Sequence, residues 1–142
     1  MPSIVMLEDD HERIDRFTRV LPSGHDDLRF TVRRTAHEFI EVYLMLPFRP
    51  DLIALDHDLF TDSPTAPDPG DGRDVARFLA DCDAICPVLI HSTNAPAADS
   101  MMFTLQDAGW IADRIAPLGS NWIEEYWYPY ATRMILGNQD SE

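Results

Sequence analysis

The chain contains no lysine, and all 11 of its Lys or Arg residues are arginines. Acidic residues number 25, which gives a formal net charge of −14. A surplus of negative charge of this size repels the phosphate backbone of nucleic acids. We therefore expect no broad binding to duplex nucleic acid, whereas local arginines or a metal ion could still hold a small anionic ligand.

Long apolar runs are also missing. No stretch approaches the roughly 20 apolar residues that a membrane helix needs, and the first residues, Met1-Pro2-Ser3, lack the basic and apolar regions of a signal peptide. We expect a cytoplasmic protein without a membrane partner. Its 142 residues, 45% of them hydrophobic, predict one domain over residues 1–137 with an acidic tail over 138–142.

Cysteine is scarce. Cys82 and Cys86 are four residues apart at the end of a predicted helix, where they would share a face. Because C-x3-C alone is a weak signal for a metal or redox site, packing is the favoured interpretation of this pair.

Short apolar runs alternate with longer segments of helical period, a pattern typical of a doubly wound parallel α/β sheet. Strands are predicted at 4–7, 29–33, 51–56, 88–92 and 111–115, and helices at 11–21, 36–46, 97–108 and from about 120 onwards. The strand at 29–33 is expected to be shorter and more exposed than the others. The strand at 51–56 is apolar until its end, which indicates burial on both faces.

A proline- and glycine-rich segment over 61–72 follows the third strand and predicts a long loop. Such a loop is either mobile decoration or a lid over a site. Near the C-terminus, Pro129 is expected to kink or end the last helix. The aromatic residues around it either pack that helix on the sheet, which we favour, or form a dimer or partner surface: Trp122, Tyr126, Trp127, Tyr128 and Tyr130.

Polar residues follow three of the predicted strands. The sequences at these strand ends are Glu8-Asp9-Asp10, Asp56-His57-Asp58 and His91-Ser92-Thr93-Asn94. In an open parallel sheet, ligands bind beyond the carboxyl ends of the strands. These residues therefore predict a polar site at one edge of the sheet.

Carboxylates held close together need protonation, separation or a cation. Oxygen ligands from Glu8, Asp9 and Asp56 predict a site for Mg²⁺ or Mn²⁺, whose remaining positions water and phosphate oxygens would fill. One of the first three acids could instead only cap a helix, because Asp9-x-x-Glu12 has the form of a capping box.

Two histidines at neighbouring strand ends indicate acid–base chemistry. His57 and His91 could exchange protons with water and with the departing oxygen of a metal-bound phosphate, with Asp56 in the catalytic set. Side chains alternate along a strand, so His91 and Ser92 face one pocket only where the strand ends or bulges. Ser92 completes the predicted catalytic set, and the predicted substrate contacts are Asp58, Thr93 and Asn94.

The order of these residues resembles the response-regulator receiver domain. The segment 4–10 is similar to the receiver's first strand with its acid pair, Asp56 falls at the phosphoacceptor position and Ser92 at the switch position. The resemblance implies a flavodoxin-like three-layer sandwich with strand order 2-1-3-4-5. Receivers carry an invariant lysine before a proline, but Ala116 precedes Pro117 here.

Three short motifs resemble a divergent family, the cyclic-phosphate processing receiver domain. They are L-E-D-D-H-E-R over 7–13, L-D-H-D-L over 55–59 and H-S-x-N over 91–94. This resemblance implies metal-dependent hydrolysis of cyclic phosphates, such as 2′,3′-cyclic RNA ends or cyclic nucleotides. A small phosphate-containing ligand or an RNA end is the expected partner.

Three alternatives stay open. Asp56 could act as a nucleophile and form a covalent intermediate. The chain could be a stand-alone response regulator phosphorylated at Asp56. It could also be a non-catalytic interaction module, with a homodimer as one possible assembly.

Overall fold

The computed structural model describes residues 3–21, 29–61 and 63–140, and for 138–140 it describes the backbone only. Five parallel strands form one sheet in the order β2-β1-β3-β4-β5. This confirms the predicted architecture. The strands are β1 Ser3–Leu7, β2 Arg29–Arg33, β3 Leu52–Leu55, β4 Val88–His91 and β5 Ala112–Ile115. The α-helices are α1 His11–Val20, α2 Ala36–Leu44, α3 Gly72–Ala80, α4 Ala95–Asp107 and α5 Tyr128–Asp140, and a π-helical turn, Ile123–Trp127, leads into α5.

The three central strands carry apolar side chains into two cores, one on each face of the sheet. Alternate residues of β1 and β3 face opposite layers: Val5 and Ile53 pack with α2, α3 and α4, whereas Met6 and Ala54 pack with α1 and α5. Burial of each large apolar side chain stabilises the fold by about 1.5–3 kcal/mol. β2 lies at the edge of the sheet and is only half-buried, as its sequence predicts, but its five residues do not make it shorter than the other strands, contrary to the prediction.

The first helix begins one residue later than the capping-box pattern indicates. Asp10, not Asp9, is the N-cap of α1, and its Oδ1 accepts a hydrogen bond of 3.0 Å from the Arg13 N–H. The helix buries Phe17 against the sheet. One of the three acids after β1 therefore caps a helix, and Glu8 and Asp9 are left for other contacts.

The predicted helix that would place the two cysteines on one face ends before both of them. α3 ends at Ala80, so Cys82 and Cys86 lie in the connection to β4. Both thiols are free and pack against the core on the α3 side. Burial raises the pKa of the Cys86 thiol to about 12, which makes it a poor nucleophile near neutral pH.

The last helix continues through Pro129, so the proline does not end it, and a kink at Pro129 stays a prediction. The turn before it widens to π-helical geometry, in which the Tyr128 N–H donates to the Ile123 carbonyl, and α5 then continues through the proline. Trp122 and Trp127 are buried, which supports the packing interpretation for these two rings, whereas Tyr126 is exposed. Within the described ranges, no helix is both long and apolar enough to cross a bilayer.

Candidate metal and phosphate site

Three of the strand-end residues form a compact polar group. Ligand atoms of Glu8, Asp56 and His91 all lie within 4.8 Å of one another. The parallel register explains their meeting, because Leu7 pairs with Leu55 and Leu55 pairs with Ile90, so the next residue of each strand reaches the same edge. All three residues are buried.

Glu8 is held by hydrogen bonds on both carboxylate oxygens. Oε2 accepts from the backbone N–H groups of Asp9 and Asp10 at 3.0 Å each, and Oε1 lies 3.0 Å from Nε2 of His91. Burial alone would raise the pKa of Glu8. The hydrogen bond and charge of His91, the Asp10 N–H and the charge of Arg13 outweigh burial and lower it. Glu8 is therefore an ionised carboxylate, to which the Nε2–H of His91 donates.

Asp56 has the opposite electrostatic character. Its Oδ1 accepts a 2.7 Å hydrogen bond from the His57 N–H. Burial first, and then the negative charge of Glu8, raise the pKa of Asp56 to about 8. Near neutral pH the pair therefore favours a shared proton or a bound cation over two bare carboxylates.

Arg13 is a cation close to this pair. Its Nη1 lies 3.6 Å from Oδ2 of Asp56 and 3.8 Å from Oε1 of Glu8, which is beyond ordinary hydrogen-bond length. The guanidinium carbon lies 5.7 Å from the ring centre of Trp122. Arg13 thus compensates part of the negative charge while its side chain stays 30% exposed.

Asp9 lies next to the group but is not one of its three members. Its Oδ2 accepts a 2.6 Å hydrogen bond from the Phe60 N–H, and burial raises its pKa despite that bond. The predicted metal set was Glu8, Asp9 and Asp56. The structure brings Glu8 and Asp56 together, adds His91, and directs Asp9 to the segment after β3, so a ligand role for Asp9 stays a prediction.

The His57 ring lies outside the group of three ligands. Nδ1 is 2.8 Å from Oδ1 of Asp58, and Nε2 is 3.6 Å from Oδ2 of Asp71. Nε2 is buried and has no hydrogen-bond partner among the residues that the structure describes. Asp58, which was assigned to the substrate, therefore orients this imidazole, because a carboxylate on Nδ1–H leaves the lone pair on Nε2.

His91 is the last residue of β4 and is fully buried. Its ring centre lies 5.2 Å from that of Phe17 and 5.8 Å from that of Trp122. Within the described part of the chain, its Nδ1 has no hydrogen-bond partner. Because the strand ends here, Ser92 is free of the strand alternation. The two imidazoles have different partners, because His91 bonds Glu8 and lies against the Phe17 and Trp122 rings, whereas His57 lies next to Asp58 and Asp71. A joint acid–base role for the two rings stays a prediction.

The remaining predicted substrate contacts form the turn between β4 and α4. Oγ of Ser92 accepts from the Asn94 N–H at 3.1 Å, and Oδ1 of Asn94 caps α4 by accepting from the Ala97 N–H at 3.2 Å. Thr93 is exposed. These bonds shape the turn, and the contribution of Ser92, Thr93 and Asn94 to substrate binding stays a prediction.

The residues present fit a divalent cation. Two carboxylates supply hard oxygen ligands, and a positive ion would relieve their mutual repulsion. The hydrogen bond from His91 fixes the orientation of the Glu8 carboxylate. Mg²⁺ suits such an oxygen pair completed by water, and Mn²⁺ accepts the same ligands. Sequence reasoning missed Arg13 and Asp71; the first lies in the 7–13 motif, and the second gave no signal beyond its loop position.

The fold and the acidic strand ends define a receiver-type domain. The model of the family described as the cyclic-phosphate processing receiver domain matches residues 4–107. Because this match covers most of the chain, the protein belongs to that family. The match includes all three motifs on which the resemblance rested.

Solved structures agree on the fold. A CheY-like response regulator receiver domain protein from Methanospirillum hungatei JF-1 is 13% identical, with a TM-score of 0.71 over 100% of this chain and 99% of that chain. The non-phosphorylated HemR receiver domain from Leptospira biflexa is 23% identical, with a TM-score of 0.67 over 95% and 94% of the two chains. The Mn²⁺-bound form of the response regulator Rcp1 is 18% identical, with a TM-score of 0.62 over 89% and 94%. No curated protein matches the chain in sequence.

Proposed function

We propose that this receiver-type domain is a metal-dependent phosphodiesterase that hydrolyses cyclic phosphates. The observation that carries the proposal is the paired arrangement at the end of β3: Asp56 meets Glu8 in an acidic pair, and the next residue, His57, carries a buried nitrogen without a partner. An acidic pair that fits a cation, followed in the chain by an imidazole that Asp58 orients, provides the groups that phosphate ester hydrolysis needs. Membership of the cyclic-phosphate processing family supports this choice of substrate.

Glu8 and Asp56 would hold the ion, and the Mn²⁺-bound form of the similarly folded Rcp1 makes Mn²⁺ a natural first probe beside Mg²⁺. A divalent ion bound there would withdraw charge from a phosphate oxygen. His91 acts as a positioning residue, because its Nε2–H donates a hydrogen bond to Oε1 of Glu8 and so fixes that carboxylate.

His57 would carry the proton. Asp58 accepts the Nδ1–H and stabilises the imidazolium that forms when Nε2 takes a proton from water. The same proton can then pass to the sugar oxygen as the cyclic ester opens.

The test is incubation with 2′,3′-cyclic nucleotides and cyclic-ended RNA, with and without Mg²⁺ or Mn²⁺. We expect metal-dependent formation of a monoester. Substitution His57→Ala should lower kcat by about 10²- to 10⁴-fold, the usual contribution of a general acid or base, and leave metal affinity within a factor of about two. His91→Ala should instead weaken metal binding by about 10- to 100-fold, because the Glu8 carboxylate loses the hydrogen bond that orients it. Equal effects of both variants on turnover and on metal affinity would contradict these roles.

A second candidate is an atypical response regulator, because Asp56 stands at the receiver phosphoacceptor position at the end of β3. The absence of lysine from the whole chain opposes it. Incubation with acetyl phosphate and mass analysis of the intact protein would separate the two. A stable phosphoryl group on Asp56 without hydrolysis of cyclic phosphates would favour the regulator, and no reaction with any substrate would favour a binding module.

Substitution of Arg13 should have opposite effects on metal binding and on substrate binding. Its guanidinium competes with a metal ion for the Glu8 and Asp56 oxygens but is also a cation close enough to contact a bound phosphate. The substitution Arg13→Gln should tighten Mn²⁺ binding about 3- to 10-fold, since roughly 1 kcal/mol of charge repulsion is lost. The same substitution should raise the KM for a cyclic nucleotide. Calorimetric titration and steady-state kinetics measure these effects, and weaker metal binding would contradict the assignment.

A further inference from the structure

A cleft of about 800 Å³ forms a second feature of the structure, separate from the acidic group of Glu8 and Asp56. It is bounded by the junction of β2 with α2 and by the segment that follows β3. Its principal lining residues are Arg33, Arg34, Thr35, Phe60, Thr61 and Ala66. A volume in this range suits a small organic ligand.

The cleft is joined to the acidic group through Asp9. Arg34 donates from Nε and Nη2 to the Asp9 carbonyl at 3.2 and 2.9 Å, and the Phe60 N–H donates to the Asp9 carboxylate at 2.6 Å. The Glu8 N–H donates to the Arg33 carbonyl at 3.1 Å. Both walls of the cleft therefore contact the residues at the end of β1, and a ligand with its phosphate at the acidic group could extend into the cleft.

The chemistry of the cleft differs from that of the rest of the chain. Arg33 and Arg34 line it although the net charge is −14, and Phe60, which lines the same cleft, is 73% exposed. The Arg33 Nη1 donates to the Val32 carbonyl at 2.8 Å, which leaves its other N–H groups for a ligand. An exposed aromatic ring with guanidinium groups nearby is the usual platform for an unpaired nucleobase. Glu38 and Asp68 also line the cleft, and their charge disfavours a long phosphate backbone, so one base fits better than a strand.

We propose that this cleft binds the nucleoside portion of the substrate, with the base stacked on Phe60 and Arg33 contacting its polar edge or ribose. The inference rests on the proposed cyclic-phosphate hydrolysis and narrows its substrate to nucleotides or the terminal nucleotide of a single-stranded RNA. Asp9 is then the boundary between the phosphate part and the base part of one site.

The test compares a 2′,3′-cyclic nucleotide with glycerol 1,2-cyclic phosphate, which has the same five-membered cyclic ester but no base. The substitution Phe60→Ala removes the ring and keeps the backbone N–H that binds Asp9. We expect kcat/KM for the cyclic nucleotide, divided by kcat/KM for glycerol 1,2-cyclic phosphate, to fall about fivefold or more, because one stacking contact with the base is lost. Phe103→Ala, which removes a similarly exposed ring from α4, should leave the ratio as it is.

The outcomes separate the cleft from the reaction. If both substrates are hydrolysed and Phe60→Ala leaves their ratio unchanged, the cleft proposal is overturned and the hydrolase proposal stands. If neither is hydrolysed, the hydrolase proposal fails, and calorimetry with a nucleoside 3′-monophosphate decides the cleft. Binding that Phe60→Ala weakens about fivefold or more would then support the cleft proposal. No binding, or binding that Phe60→Ala leaves unchanged, would overturn it.

Discussion

The substitution Asp56→Asn should make the protein more stable at pH 8 while it removes metal binding. Folded Asp56 keeps its proton up to about pH 8, whereas the unfolded chain releases it near the ordinary value of 3.8. Between these values the folded state binds more protons, so the free energy of unfolding falls as pH rises, by at most about 1.4 kcal/mol per pH unit. Asparagine resembles the protonated acid and avoids this loss.

We expect the variant to exceed the wild type by about 2–5 kcal/mol at pH 8 and to match it near pH 4. Urea unfolding in the presence of a chelator at both pH values measures the difference. Asp107→Asn, which neutralises an exposed carboxylate near the end of α4, should change stability by less than about 1 kcal/mol at either pH. An Asp56→Asn variant that is less stable than the wild type at pH 8 would show that ionised Asp56 is better compensated than its burial beside Glu8 indicates.

The substitution Gly72→Ala should destabilise the fold severely. A Cβ at this position would lie 2.2 Å from the Asp56 carbonyl oxygen, 2.6 Å from Cε of Met101 and 2.9 Å from Cα of His57. Two of these contacts are to backbone, which cannot turn aside as a side chain can. Because Gly72 also donates its N–H to the His57 carbonyl at 2.9 Å, relief of the clash would displace the start of α3 from the end of β3.

We expect a loss of about 3 kcal/mol or more in the free energy of unfolding, at or above the upper end for overpacking of a core. Gly137→Ala is the matched control, because a Cβ there meets no atom within 4 Å. In the interior of an exposed helix this change should stabilise by about 0.5–1 kcal/mol. Similar small effects of both substitutions would mean that α3 can move away from the site without loss.

The two acidic residues with opposite electrostatic character have one structural cause. Glu8 receives two backbone N–H groups and His91, whereas Asp56 receives one N–H and faces the charge of Glu8. A site of this kind is unfavourable when empty at high pH and becomes favourable once a cation enters. The repulsion between Asp56 and Glu8 thus lowers stability as pH rises, and the proposed cation would relieve it.

The sequence predicted the layered sheet because its strands are almost entirely apolar. Few folds other than a parallel sheet covered by helices require strands that are buried on both faces. The sequence also predicted that Glu8, Asp56 and His91 would be near one another, since parallel strands of similar length end at the same edge. Helix boundaries were less certain. Pro129 was expected to kink or end the last helix, but α5 continues through it after a π-helical turn.

The sequence alone determined which polar residues follow each strand, because apolar and polar segments alternate along the chain. Acidic residues follow β1 and β3, and a histidine ends β4. Only the tertiary structure decided which side each polar group faces. His91 bonds Glu8, and His57 bonds Asp58. These directions depend on where each strand ends and the next turn begins, which contacts between residues distant in sequence determine. Arg13 and Phe60 acquire their places only when α1 and the segment after β3 close over the strand ends, and no local pattern encodes that closure.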